Sequence, residues 1–399
     1  MHFTTLTEEE FKTFTDKNST KNFFQSIPMY HRQKDMGEEV YLVGVKNDNE
    51  EVIAATILTK TSTFLKRKTF EAFKGFIQNY DNLELLNFFV DEIKKFIKKK
   101  GGYRLTIDPY LPLVHRDIDG NEILGEETNR GLAEYLEKIG FRYIGEGTQV
   151  KWVFVLDIDG VTSDELFSNF KQNTRNLINR TINKYHLNVR SISYDELPEF
   201  KKITSETCER KSFSDRSLEY YQQMVKYFKD GIKVIMTELN CDLYLDTLKE
   251  EALSYEKMIE KSKGKKKEEA EFQFENINNK MKKVLELKSN KGNIIPLSAA
   301  MFMLYGDEVI YLFSGSYEEY MEFYGQYRIQ WEMIKYAADH NYRRYNFYGI
   351  KDFKNKDSKE YGIYEFKKGF NCHVEELLGV YEIGFGFIYK LYRLLKKLR

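Results

Sequence analysis

Residues 343–370, RRYNFYGIKDFKNKDSKEYGIYEFKKGF, place a strand-like run, a charged loop and a short basic helix in immediate succession. YNFYG alternates aromatic with small or polar residues, the pattern of a half-buried strand, and Gly349 predicts a sharp turn after it. From Tyr361 the period becomes helical. Lys367 and Lys368 fall near the end of that helix beside Phe366, where a lysine meets either the last free carbonyls or an anionic substrate.

Working outward, the same plan occurs twice. The first half has a hairpin (EVYLVGV, turn KNDNE, EVIAATILT), a long amphipathic helix at 81–100, the strand YRLTID ending at Asp108 before Pro109, the helix RGLAEYLEKIG and the strand FRYIGEG. The second half has a hairpin (IPLSAAMFML, turn YGDE, VIYLFSGS), a helix at 326–340, the strand YNFYG, the helix YEFKKGF and a strand through VEELLGVYEI. This is a duplicated α/β (α+β) unit, and the element order resembles the acyl-CoA N-acetyltransferase (GNAT) fold. Residues 245–287 differ in kind: they are rich in Lys and Glu, lack proline, and carry near-heptad apolar positions in two arms around KSKGKKK. The expected architecture is two tandem GNAT-like domains, residues 1–150 and residues 151–241 with 294–380. An antiparallel coiled-coil helical arm at 242–293 is inserted in the second, and a basic amphipathic helix at 381–399 closes the chain.

Bulk properties narrow the function classes. At 399 residues, two domains with separate cores are expected. Sixty-two Lys and Arg balance 62 Asp and Glu, so contact with nucleic acid or membrane must come from local basic patches. Three scattered cysteines form no CxxC pair, which fits a reducing cytosol. The acidic start MHFTTLTEEEF predicts no export, and no apolar run is long enough to span a bilayer. The tail FGFIYKLYRLLKKLR suits the cytoplasmic face of an anionic membrane or packing on its own protein.

GxSxG, HExxH and Walker motifs are missing, and the six histidines lack metal-ligand spacing, so no metal is expected. TNRGLA half-matches the acetyl-CoA loop [QR]xxGx[GA], with Thr128 in place of the basic or amide residue. Along nearly the whole chain, HFTTLTEEEFKTFTD, YLVGVKNDNEEVIAA, LTIDPYLP, ERKSFSDRSLEYY, IPLSAAMF, QWEMIKYA and RYNFYGI with FKKGF resemble the Fem-type (FemA/FemB/FemX, MurM/MurN-like) peptidoglycan aminoacyltransferases. The arm makes the FemA/FemB type the nearest.

The resemblance implies transfer of an amino acid from glycyl-, alanyl- or seryl-tRNA to the stem-peptide lysine or growing bridge of lipid II, or of UDP-MurNAc-pentapeptide. It implies no cofactor beyond the aminoacyl-tRNA co-substrate, and pairing as a homodimer or with a paralogous Fem-type enzyme. Lys367 and Asp108 are then catalytic, Lys367 at the transferring ester or the terminal phosphate of the tRNA and Asp108 as base. Arg210 meets the substrate diphosphate, with Arg216, Tyr311, Phe366, Tyr348 and Lys34 also at the substrate. His31, Arg32 and Lys34 compete for the place of an N-terminal phosphate-binding lysine. Lys265, Lys266 and Lys267, at the tip of the arm, are expected on the tRNA. An acetyl-CoA N-acetyltransferase and a non-catalytic cell-wall scaffold are the alternatives.

Overall fold

The computed structural model describes residues 1–397 apart from 19, 65, 66, 146–149, 213, 351–354 and 359; the side chains of 62–64, 67 and 397 are also left aside. Arg399 and the side chain of Lys397 in the basic tail, and part of the loop after YNFYG, therefore lie outside what is described.

The fold is mixed α/β, with two eight-stranded sheets. In the first, the strands run in the order His2–Thr5, Glu39–Lys46, Val52–Phe64, Arg67–Ala72, Gly102–Ile107, Val380–Gly384, Arg142–Gly145, and Ile77–Gln78 pairs with Val52–Phe64. In the second the order is Asn188–Ser191, Ile232–Asn240, Ile294–Tyr305, Glu308–Ser316, Arg344–Ile350, Trp152–Asp157, His373–Leu377, Pro112–Arg116. Among the described residues each sheet has one parallel pair, Arg67–Ala72 with Gly102–Ile107 and Glu308–Ser316 with Arg344–Ile350. A crossover helix joins each pair, Leu83–Lys99 and Gly325–Asp339. A parallel pair needs such a crossover, and the helix seals the sheet face with its apolar stripe, here Leu86, Phe89, Ile93 and Ile97.

The duplication is real, but its register differs from the one read in sequence. Strand Arg67–Ala72 was not anticipated, so EVIAATILT corresponds to IPLSAAMFML rather than to VIYLFSGS. The arm then occupies the hairpin turn between Ile232–Asn240 and Ile294–Tyr305, where the first unit has only KNDNE. It is a pair of helices, Cys241–Lys261 and Lys265–Lys291, joined by Ser262, Lys263 and Gly264, a link short enough to make them antiparallel. Leu245, Leu248 and Ala252 of one are buried with Ile277 and Val284 of the other, the apolar positions of the sequence pattern.

Two further expectations are corrected. The halves do not keep their strands to themselves: Val380–Gly384 lies inside the first sheet, between Gly102–Ile107 and Arg142–Gly145, and Pro112–Arg116 forms an edge of the second. Tyr381 and Ile383 accordingly belong to the first core, so the stretch from 381 begins as buried strand, and its helix is Gly386–Lys397. Gly349 makes no turn. The strand runs on to Ile350, and Tyr348 has the positive φ (59°) instead.

Candidate functional site

A narrow crevice lies where first-half loop segments cover the second sheet, lined by Phe24, Lys74, Tyr110, Val153, Asn346, Tyr348 and Leu377. Its wall on the second unit is shaped by a bulge. Strand Arg344–Ile350 loses register with Trp152–Asp157 between Asn346 and Gly349, which turns Tyr348 out of the regular alternation. Asn346 Oδ1 accepts from the Tyr348 N–H at 2.7 Å, while Lys367 Nζ donates to the Tyr348 carbonyl at 2.9 Å and lies 3.4 Å from that of Gly349. Gly349 is required by close approach: a Cβ there would lie 2.4 Å from the Trp152 carbonyl oxygen.

Lys367 is therefore beneath the crevice wall. It is 2% exposed, its ammonium sits 5.1 Å from the centre of the Phe154 ring, and burial pulls its pKa down to about 7. Lys368 pairs with Asp119 and Tyr364. Phe366 packs on Tyr327 and Phe370 within the second core, and Tyr311 donates to Ser314 and Gln326 with its pKa raised to about 12 by burial. Neither aromatic lines the crevice, where the sequence reading placed both at the substrate.

Asp108 stands at the end of strand Gly102–Ile107, and its partner is a residue the sequence reading missed. The Lys74 N–H donates to Oδ1 at 2.6 Å, and Lys74 Nζ is 3.1 Å from Oδ2. Burial pushes the Asp108 pKa up, and Lys74 opposes it. Oδ2 faces the Lys74 ammonium alone, where Oδ1 also takes a backbone N–H. A raised, lone-pair-bearing carboxylate beside a cation is a competent proton acceptor. Lys74 carries no sequence signal beyond sitting between aromatics in FKGF.

A cluster of cations lies around Tyr220. Burial raises the Tyr348 pKa, with the Tyr220 and Asp108 charges adding to that shift and Arg216 opposing it. Arg32 and Arg216 both lie over the Tyr220 ring, at 4.4 and 5.1 Å. Arg32 is 7% exposed; burial lowers its pKa and Arg216 adds to that, while its Nε finds no acceptor among the described residues. Arg210, in the last turn of helix Leu197–Lys211, likewise has buried Nε and Nη1 without an acceptor. Buried guanidinium N–H groups are costly unless an anion meets them, and their fork matches phosphate oxygens. Lys34 is exposed and lies 5.0 Å from the Tyr30 ring, so of the three N-terminal candidates Arg32 faces this cluster.

Lys265, Lys266 and Lys267 are exposed in the first turn of helix Lys265–Lys291, which has no side-chain cap. Three lysines at the positive end of a helix dipole are unfavourable for the helix and attractive to an anion. The 27-residue helix sets this tip about 40 Å from its base. Among the described residues one group has metal-ligand chemistry, His115, His373 and Glu375, whose ligand atoms lie within 4.8 Å of one another. No helix among the described residues is long and apolar enough to cross a membrane.

Comparison with known proteins gives a consistent picture. The family model described as the FemAB family matches residues 6–397. The aminoacyltransferase FemA of Staphylococcus aureus strain bovine RF122 / ET3-1 is 35% identical over 401 residues, covering 95% of this chain and 94% of that protein, and FemA of strain MW2 matches to the same extent. The crystal structure of FemX superposes with a TM-score of 0.76 at 23% identity over 99% of each chain, a likeness of fold.

Proposed function

Because the chain belongs to the FemAB family, we propose that it is a tRNA-dependent aminoacyltransferase that attaches an amino acid to the stem-peptide lysine, or the growing interpeptide bridge, of lipid II in peptidoglycan synthesis. The observation that carries the proposal is the buried Lys74–Asp108 pair, whose lysine lines the crevice together with Tyr348. An aminoacyl ester is already activated, so the protein has to position two large substrates, stabilise one developing oxyanion and accept one proton. In this reading Arg210, Arg32 and Arg216 hold the substrate diphosphate, the Lys74 ammonium faces the ester carbonyl, and Asp108 Oδ2 takes the proton of the attacking amine and passes it to the tRNA ribose oxygen that leaves as the amide forms and the ester C–O bond breaks. Lys367 acts through the bulge that carries Tyr348, as a positioning residue.

The helical hairpin is read as an antiparallel coiled-coil arm whose lysine tip reaches the tRNA backbone. Helix Gly386–Lys397 docks one side through Tyr389 on Glu382 and Tyr392 on Arg104, and leaves Phe387 and Leu394 77% and 58% exposed. With its basic residues, that outer side suits peripheral contact with an anionic membrane. Replacing Phe387 and Leu394 by serine would then reduce co-sedimentation with phosphatidylglycerol vesicles, and unchanged sedimentation would remove the tail from the interaction.

The deciding assay uses purified protein, lipid II and charged tRNA, with and without RNase. RNase-sensitive transfer of the amino acid is expected. Transfer from acetyl-CoA instead, or binding of lipid II with no turnover on any charged tRNA, would overturn the reading.

A further inference from the structure

One face of the second sheet carries a row of charged and imidazole side chains below the crevice. Register places Glu308 beside Arg344, Arg344 beside Asp157, and Glu375 beside His115, with His373 two residues before Glu375 on the same face. His115 comes from the first half of the chain and the other two from the second, which is why no motif announced the group.

The surroundings are arranged as the outer shell of a metal site is. Arg344 Nη2 holds Glu375 Oε2 at 2.8 Å, leaving Oε1 turned toward His373 Nε2 at 3.7 Å. That gap is too long for a hydrogen bond and close to the spacing of two ligands sharing one ion with bonds of about 2.0–2.2 Å. On the far side of the ring, His373 Nδ1 is 3.4 Å from Asp157 Oδ2, the carboxylate–histidine arrangement that fixes a ligand's tautomer and raises its basicity. The His115 ring lies 5.9 Å from that of His373, centre to centre, and forms no hydrogen bond or ion pair among the described residues. Glu375 is buried and both histidines are half-buried, so an ion has a path from solvent.

We propose that His115, His373 and Glu375 bind one divalent transition-metal ion of the zinc class, with a further coordination position open to solvent. Two imidazoles and one carboxylate favour such ions over calcium or magnesium. The ion would clamp edge strand Pro112–Arg116 to His373–Leu377. Tyr110, at the entry to that edge strand, donates to both Glu308 carboxylate oxygens at 3.0 Å and lines the crevice, so the clamp would fix the crevice floor.

The test uses full-length, tag-free protein stripped with EDTA and dialysed against zinc, magnesium or calcium. Metal content is measured by mass spectrometry, affinity by competition with a chromophoric chelator, and stability by thermal melting. Expected are one zinc ion per chain, a saturable rise in Tm with zinc and none with the other two, and affinity lower by roughly 100-fold or more in His115→Gln and about 10–100-fold in the exposed Asp157→Asn. Substoichiometric zinc, equal uptake of magnesium or calcium, or uptake that survives both substitutions would overturn the site. Should His115→Gln fail to fold, the Asp157→Asn affinity decides alone.

Discussion

Lys367 shows how a residue legible in the sequence can hold a different office in the structure. FKKGF marked it as a lysine meeting either free carbonyls or an anionic substrate, and the fold turns its amine onto two backbone carbonyls under Tyr348. Its folded pKa of about 7 lies below the unfolded value of about 10.4, so between these values the unfolded chain binds a proton the folded one lacks. Its contribution to stability therefore rises with pH across that window. The Tm advantage of wild type over Lys367→Met should grow from pH 7 to pH 10 and be flat below about pH 6; a difference constant across the range would show that the amine is not buried as described. Asp108→Asn should cost about 3–5 kcal/mol by leaving the Lys74 ammonium buried without its counter-charge, and should slow single-turnover transfer at every pH. Retained turnover would move the base elsewhere. Arg210→Ala should raise KM for lipid II by about 10-fold or more with Tm unchanged, since a charged hydrogen bond is worth roughly 1.5–3 kcal/mol. Asp108 was recognisable from its place at a strand end before proline, but Lys74 and the Arg32–Tyr220–Arg216 stack depend on contacts between distant segments and left no local trace.

At the scale of elements, periodic ones were readable and irregular ones were not. Helix Leu83–Lys99 and the arm announce themselves by apolar spacing. Strand Arg67–Ala72 hides behind a longer strand, and the bulge at 346–349 sits in a run whose alternation looks regular. Gly349→Ala tests that bulge: its Cβ would press on Trp152 and Val150, and a loss of about 1–3 kcal/mol is expected, with transfer falling as Tyr348 shifts. Equal stability would mean the two strands have room to part. The arm's role rests on its tip. Changing Lys265, Lys266 and Lys267 together to glutamine should lower affinity for charged tRNA and flatten the slope of log K against log salt by up to roughly 2–3, with Tm unaffected. An unchanged slope would leave the arm with no part in tRNA binding.

On the scale of the whole molecule, the two sheets exchange strands, so the expected pair of self-sufficient domains gives way to one interlocked body. Both the duplication and the α/β class were visible in the order of elements; the exchange was not, because a strand's pattern says which face is buried and not which sheet it joins. Thermal unfolding should show one transition, and residues 1–150 expressed alone should lack a cooperative melt, since Val380–Gly384 would leave a gap between Gly102–Ile107 and Arg142–Gly145. A sharp melt of that fragment would show the first sheet to be complete without it. The exchange also bears on biosynthesis. At roughly 5–20 residues per second, a ribosome needs about 10–50 s to go from residue 145 to residue 380. Throughout that interval the nascent first sheet displays two unpaired strand edges flanking an empty slot, an inviting target for chaperones and for a neighbouring nascent chain's own copy of the missing strand.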